Sequence, residues 1–370
     1  MAASGINFSN LTLEPEGVRD LRKLIMLTTL TAGDFANFHN VMPGVQNGDH
    51  IGGIGTFSEL GVAGGTTCTP SYNSNQVRTV ENTWVLGEWE VAEKICYKDI
   101  DATVGRYSLK TKTDIADITG TDILGLISPQ LEAAIKRMIW RVAWFGDTAA
   151  ALISGGGRIT NSKNVNLFKV ADGYWKKIFA IVAADPLRKT TIAANAQATY
   201  ALQNSQFTDG VAVIDNLIYS APINLRNATR NIVQADGTET TVKDGIIMCT
   251  RSVADAYEKG LTGTGVPVTQ IQWETGINGM QYFKRKGVDI YPIDLWDSFI
   301  QEFENNGTSW NSPHRAVFTT TSNLMAGTPS TDLVGMLNVW FSNDDQDVKM
   351  LARDKVGFLI MDSTLIQVAY

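Results

Sequence analysis

The residues of this sequence that could do chemistry are few and scattered. His39, His50 and His314 are its only histidines, and none stands at metal-ligand spacing from another histidine or from Cys68, Cys96 or Cys249. The three cysteines form no CxxC and no disulfide ladder, so a reducing compartment is expected. Ser154-Gly155-Gly156-Gly157-Arg158 is glycine-rich like a phosphate cradle. It lacks the GxGxxG spacing and a preceding strand, so a plain flexible loop is expected. Asn343, Asp345, Asp347 and Asp354 echo positions 1, 3, 5 and 12 of a calcium loop. Val348 replaces the turn glycine there and Asp354 replaces the bidentate glutamate, which predicts a solvated turn. The pairs Asp99/Asp101 and Asp114/Asp117 lie in polar connections with no partner for acid–base work. A G-x-S-x-G elbow and a Walker lysine are both missing. The expectation is a protein that is not an enzyme, with no catalytic constellation, cofactor or metal.

The large side chains are spent instead on a rod. Residues 122–147 read DILGLISPQLEAAIKRMIWRVAWFGD. Ser128 suits the N-cap and Pro129 the first helical position, and Gly146 suits a left-handed closing residue. Leu131, Ala134, Ile135, Met138, Ile139, Val142 and Phe145 recur at three- and four-residue spacing, predicting one buried stripe. Residues 128–146 would span about 28 Å. Arg137 and Arg141, and Trp140 and Trp144, fall outside that stripe. They need cover from a second layer of the chain or from a neighbour. Aromatics and arginine are enriched at interfaces, so these four, with Trp84 and Trp89, are candidate inter-subunit contacts.

Composition bounds the rest. A chain of 370 residues predicts two or three domains, and 44% hydrophobic with 19% charged residues predicts a globular protein with a sparsely charged surface. Net charge is −7 without a run of like charges, which argues against a nucleic-acid-binding arm. No apolar run reaches the ~18 residues of a membrane span, and no signal peptide is expected at the N-terminus.

In chain order, a short helix is expected near 14–31. The glycine-rich tract 42–101 follows, and 76–84 and 89–96 alternate loosely like strands. This predicts a long hairpin with 61–75 at its tip, too thin to be stable alone. Helices are predicted at 172–184 and 209–221, then a hairpin at Asp236-Gly237. Strands at 245–250, 287–291 and 315–320 alternate with helices at 252–259 and 295–303, and strands at 356–361 and 365–370 close the chain. The expected class is layered α+β.

This order of parts resembles the Hong Kong 97-like major capsid proteins of tailed bacteriophages. Residues 84–99 (WVLGEWEVAEKICYKD), 141–147 (RVAWFGD), 287–296 (GVDIYPIDLW) and 313–327 (PHRAVFTTTSNLMAG), with Val356-Gly357 and Ala369-Tyr370, are similar to segments of capsid proteins from phages infecting Bacteroidetes. The resemblance implies an N-terminal arm at 1–46 and an extended hairpin loop (E-loop) at 47–97. It further implies a peripheral domain at 98–205 and 324–370, containing the long spine helix, and an axial domain at 206–323. It implies self-assembly through pentamers and hexamers into an icosahedral or prolate shell around double-stranded DNA, with no sequence-specific binding and no membrane. A portal protein, scaffolding proteins and decoration proteins are the implied partners. The chain would assemble in the bacterial host cytoplasm and reside in the virion. An encapsulin-type nanocompartment shell is the alternative, and a soluble α/β enzyme the third.

One departure from the family has a chemical consequence. Self-crosslinking members join a loop lysine to an asparagine of a neighbour, whereas residues 51–80 here contain no lysine. Mature particles are therefore expected to fall apart into single chains in hot detergent. A ladder of covalent multimers on a reducing gel would show that another lysine is used.

Overall fold

A computed structural model describes residues 35–57, 77–96, 122–193, 197, 199–229, 232–233, 239–240, 244–263, 273–276, 280–305, 312–330, 336–342, 344–345 and 347–370. The helix expected near 14–31, the hairpin tip 61–75, Asn343, and the carboxylate pairs Asp99/Asp101 and Asp114/Asp117 lie outside them.

The spine helix α1 runs from Asp122 to Phe145, 24 residues and so about 36 Å. It starts six residues before Ser128, so Pro129 lies inside the helix instead of opening it. Leu131, Ile135, Ile139, Val142 and Phe145 of the predicted stripe are buried, while Ala134 is exposed. The closing glycine has a different reason from the one expected. Gly146 is not left-handed; a Cβ there would lie 2.3 Å from the Ala171 carbonyl oxygen. Gly173 has the same restriction, 2.6 Å from the Ala143 oxygen, and its N–H donates to the Gly146 carbonyl at 2.9 Å. Two glycines thus let the chain entering α2 (Tyr174–Ala184) cross the end of α1 in backbone contact.

Two sheets flank this crossing. The larger has seven strands in the order β5 (Lys189–Thr190), β16 (Ile366–Ala369), β12 (Ala316–Thr320), β8 (Gly245–Cys249), β11 (Val288–Pro292), β10 (Gln281–Arg285), β9 (Glu274–Thr275). Strands β5 and β16, from outside 206–323, complete it. Its central strands are covered on both faces. Ile246, Met248, Val317, Ile366 and Val368 face a core shared with α1, α2 and α7 (Asp294–Phe303). Ile247, Cys249, Ala316 and Phe318 face a second core under α4 (Gly210–Tyr219) and α6 (Arg251–Gly263). The period-two alternation is that of a strand buried on both sides. Strand β10 was not foreseen. Lys286 (φ 51°) and Gly287 (φ 82°) form the two-residue turn joining it to β11, with Arg285 opposite Val288.

The second sheet is built on β15 (Asp347–Ile360). Its first half lies between β14 (Met336–Ser342) and β4 (Gly87–Cys96); its second half pairs with β13 (Leu324–Thr328), which carries β1 (Asn40–Pro43) in parallel. The expected hairpin has its arms on either side of 61–75, and the second predicted strand, 89–96, is not one of them. Strand β3 (Val77–Thr83) pairs with β2 (His50–Phe57), while β4 leaves the ribbon and joins β15 from Asp347↔Cys96 to Val356↔Gly87. The ribbon β2–β3 is fixed at its base, where Asn82 donates to the Met361 carbonyl at 3.0 Å and Trp84 packs on Gly327. A small hairpin, β6 (Ile232–Val233) with β7 (Glu239–Thr240), brackets Asp236-Gly237 as predicted, the turn itself lying outside the described residues. Helices α3 (Tyr200–Gln206) and α5 (Ile223–Asn227) flank α4.

The glycine crossing yields a direct expectation. Gly146→Ala should destabilise the subunit by about 2 kcal/mol or more, since neither backbone can give way. Gly155→Ala, where a Cβ meets nothing within 4 Å, should be close to neutral. Urea unfolding of both variants checks the difference.

Candidate functional site

Among the described residues, large aromatic side chains gather around the end of α1. Trp144 lies 4.4 Å from Trp296, 5.0 Å from Tyr174 and 5.7 Å from Trp175, ring centre to ring centre. Trp140 is held edge-on by Phe35 (5.4 Å) and Phe38 (6.1 Å), and Phe38 in turn meets Tyr291. His39 stacks between Phe35 and Tyr174, at 3.8 and 5.3 Å, and touches both α1 tryptophans. Its Nδ1 is 2.9 Å from the Phe35 carbonyl, and burial drives its pKa down to about 3, so it is neutral. Tyr174 donates to the Met325 carbonyl at 2.9 Å, tying the cluster to β13.

Trp140 (1% exposed) and Trp144 (0%) are thus buried within the chain, the first of the two kinds of cover that their place outside the stripe required. The second layer that covers them belongs to the same chain. The sequence held a signal for this: Val142-Ala143-Trp144-Phe145 contains no polar residue, so the last turn has no solvent-facing position. Trp84 and Trp89 are likewise enclosed by their own chain, each 2% exposed. The basic row is tied inward as well. Arg137 donates to Ser298 Oγ at 2.9 Å and Glu302 Oε2 at 3.3 Å. Arg141 lies over Phe168 and Phe303, and burial, with the charge of Arg137, lowers its pKa to about 10, leaving it charged. As placed in one chain, the four tryptophans named as contact candidates present almost no surface to a neighbour.

Below the hub lies a polar core that sequence reasoning missed. Arg315 is fully buried, pairs with Glu304, and faces the rings of Phe145 and Trp175 at 5.3 and 5.2 Å. It borders a cleft of about 500 Å³ that also contains Arg158 and the loop Gly155-Gly156-Gly157. That loop is no phosphate cradle: the N–H groups of Gly155, Gly156 and Gly157 donate to the carbonyls of Leu152, Ile153 and Leu152. Ser252 Oγ lies 2.8 Å from His314 Nδ1 at a strand–turn–helix, the spacing of a nucleophile and its base. Ser252 is 0% exposed and its hydroxyl is shared with Thr250 at 2.9 Å, so a substrate cannot reach it. The predicted calcium-like tract is the turn from β14 into β15, with Asp347 near Lys94 and Asp345 paired to Lys349. Among the described residues no group of three His, Cys, Asp or Glu side chains could hold a metal, and no helix is long and apolar enough to cross a membrane.

The apolar groups left on the outside are dispersed. Val85, Leu187, Tyr219 and Ile223 are each more than 60% exposed, and Trp340 on β14 is 43% exposed. Tyr219 and Ile223 stand together at the α4–α5 corner, with Lys286 Nζ 3.6 Å from the Tyr219 ring.

No protein-family model matches the chain, and no curated protein matches it in sequence. Solved structures match it in fold along nearly its whole length. A chain of the cyanophage P-SCSP1u capsid is 12% identical with a TM-score of 0.50, the match covering 100% of this chain and 96% of that one. A chain of the capsid of an empty GTA particle is also 12% identical with a TM-score of 0.50, covering 94% of this chain and 92% of the other. A chain of Gordonia phage Cozz is 10% identical with a TM-score of 0.50, covering 93% and 88%. The chain is α+β and has the fold of phage capsid proteins, as its sequence resemblance implied.

Proposed function

We propose that the chain is the major capsid (head) protein of a tailed bacteriophage. It self-assembles through pentamers and hexamers into the icosahedral or prolate shell that encloses a double-stranded DNA genome. The observation that carries this reading is the end-to-end correspondence with capsid chains, 100% against 96% for the cyanophage capsid. In this reading the protein is structural, and the burial of the Ser252–His314 pair supports that.

The parts fall into roles. The hub makes each subunit rigid, which a thin shell requires of its tiles. The β2–β3 ribbon, secured at its base by Asn82 and Trp84, is the arm that reaches a neighbouring subunit. With the tryptophans of α1 enclosed, contacts between copies fall to the arm, to Trp340 on the edge strand β14, and to the Tyr219–Ile223 corner. Closed symmetric assembly of identical chains repeats each such contact around every axis. A net charge of −7 suits a wall that contains DNA without holding it. The partners in this reading are further copies of the chain, a portal protein, and scaffolding and decoration proteins. Assembly takes place in the host cytoplasm and the product is the virion shell.

Expressed alone or with its scaffold, the full-length chain should yield pentamers, hexamers or closed shells in negative-stain images. A stable monomer at high concentration by light scattering would overturn the reading. Deletion of residues 61–75 should leave the circular dichroism of the subunit nearly unchanged and abolish shell closure. Loss of the subunit fold in that variant would make the hairpin part of a core and not an arm.

A further inference from the structure

The charges where α1 meets the end of α7 do not balance. Arg137 donates to Ser298 Oγ and shares the Glu302 carboxylate with Lys163, whose Nζ lies 3.5 Å from it. Arg141, one turn further along α1, stands beside them. Its guanidinium lies 5.8 Å from the ring of Phe168 and 5.8 Å from that of Phe303, and the Lys163 ammonium lies 5.3 Å from the same Phe303 ring. Three cations are thus gathered around one carboxylate, and the other two already use it. Among the described residues no acceptor takes a hydrogen bond from Arg141, and its Nε is enclosed without one. The two rings, edge to face at 5.0 Å, hold the guanidinium in one place. The residue is only partly buried, so an acceptor from outside the chain can reach it.

The geometry points to Arg141, beside Arg137 and Lys163, as a recess that receives a carboxylate from a second copy of this chain. This rests on the reading of the chain as a shell subunit, and it adds a contact to the arm, Trp340 and the Tyr219–Ile223 corner. A guanidinium offers a carboxylate parallel N–H donors, and such charge-assisted bonds are about twice as strong as neutral ones. Left alone, the enclosed Nε forgoes a bond to water, and Arg141 and Arg137 repel one another. One incoming negative charge relieves both. DNA fits the recess less well. Its phosphates recur along a strand and are held by many cations, whereas this recess presents one partly covered guanidinium. The chain also carries 38 acidic residues against 31 basic ones, so carboxylates are in excess for such a pairing.

Three measurements on the full-length chain test this. In the unassembled subunit, Arg141→Met should unfold at the same urea concentration as the wild type or a higher one, because a charge short of a partner is removed. Inorganic phosphate, compared with chloride at equal ionic strength, should raise the melting temperature of the wild-type subunit and leave that of Arg141→Met unmoved. In particle assembly followed by light scattering, Arg141→Met should need at least about tenfold more protein than the wild type. A variant less stable than the wild type would place the partner of Arg141 within its own chain and overturn the proposal. The same phosphate response in both chains, or none in either, also overturns it. Shells of Arg141→Met that close normally but fail to retain DNA would assign the recess to nucleic acid instead. Particles that form alike in both chains sink this contact alone, whereas a wild type that forms none at any concentration sinks the capsid reading and the contact with it.

Discussion

The subunit depends on the packing of indoles where α1, α2 and α7 meet. Trp144 is the common member, in contact with rings from α2, from α7 and from the segment before β1. Edge-to-face and tilted contacts of this kind contribute about 0.5–1.5 kcal/mol each beyond the burial of their area. The arrangement also has costs. The indole N–H groups of Trp89, Trp144, Trp175 and Trp296 are buried without a protein acceptor. Such a loss is tolerable only where the buried aromatic area exceeds it, and here several large rings share one site. The glycine pair at 146 and 173 is the geometric condition for it, because α2 reaches Trp144 only by crossing the end of α1 in backbone contact.

From that centre the two sheets take their places. The seven-stranded sheet presents Met248, Val317 and Ile366 to the hub, and β15 brings Phe358 to Tyr174 at 5.5 Å. Strands from near the start of the described chain, from its middle and from its C-terminus thereby pack on one shared core. Below lie the polar groups that a core of this size encloses, Arg315 with Glu304 and Asp297 with the start of α6. The first is a charge held by its counter-charge, and the second is a carboxyl held by the N–H groups of Arg251 and Ser252 and the hydroxyl of Tyr200.

Much of this was legible in the sequence. The α1 stripe, the helices of the middle region, the doubly buried strand 245–249 and the α+β class follow from hydrophobic period and length. The misses have specific causes. Strand β14 and the first half of β15 flank the carboxylate-rich tract 343–347, whose spacing drew attention to a turn and away from the strands on either side. The partner of β4 lies some 260 residues away in sequence, beyond any local pattern. What covers Trp140 and Trp144 was not legible because periodicity describes one face of a helix, whereas the last turns of α1 are covered on all sides. Arg315 and Asp297 gave no signal, since burial of a charge depends on what the fold places around it.

The central claim is that the α1 tryptophans hold the subunit together and do not join it to its neighbours. Denaturant unfolding of the full-length Trp144→Ala subunit tests it most directly, with Trp340→Ala as the exposed comparison. The packing predicts a loss of about 3–5 kcal/mol for Trp144→Ala, enough to leave little folded protein, and under about 0.5 kcal/mol for Trp340→Ala. A Trp144→Ala subunit that unfolds like the wild type, yet no longer forms particles, would contradict the account and return that residue to the interface.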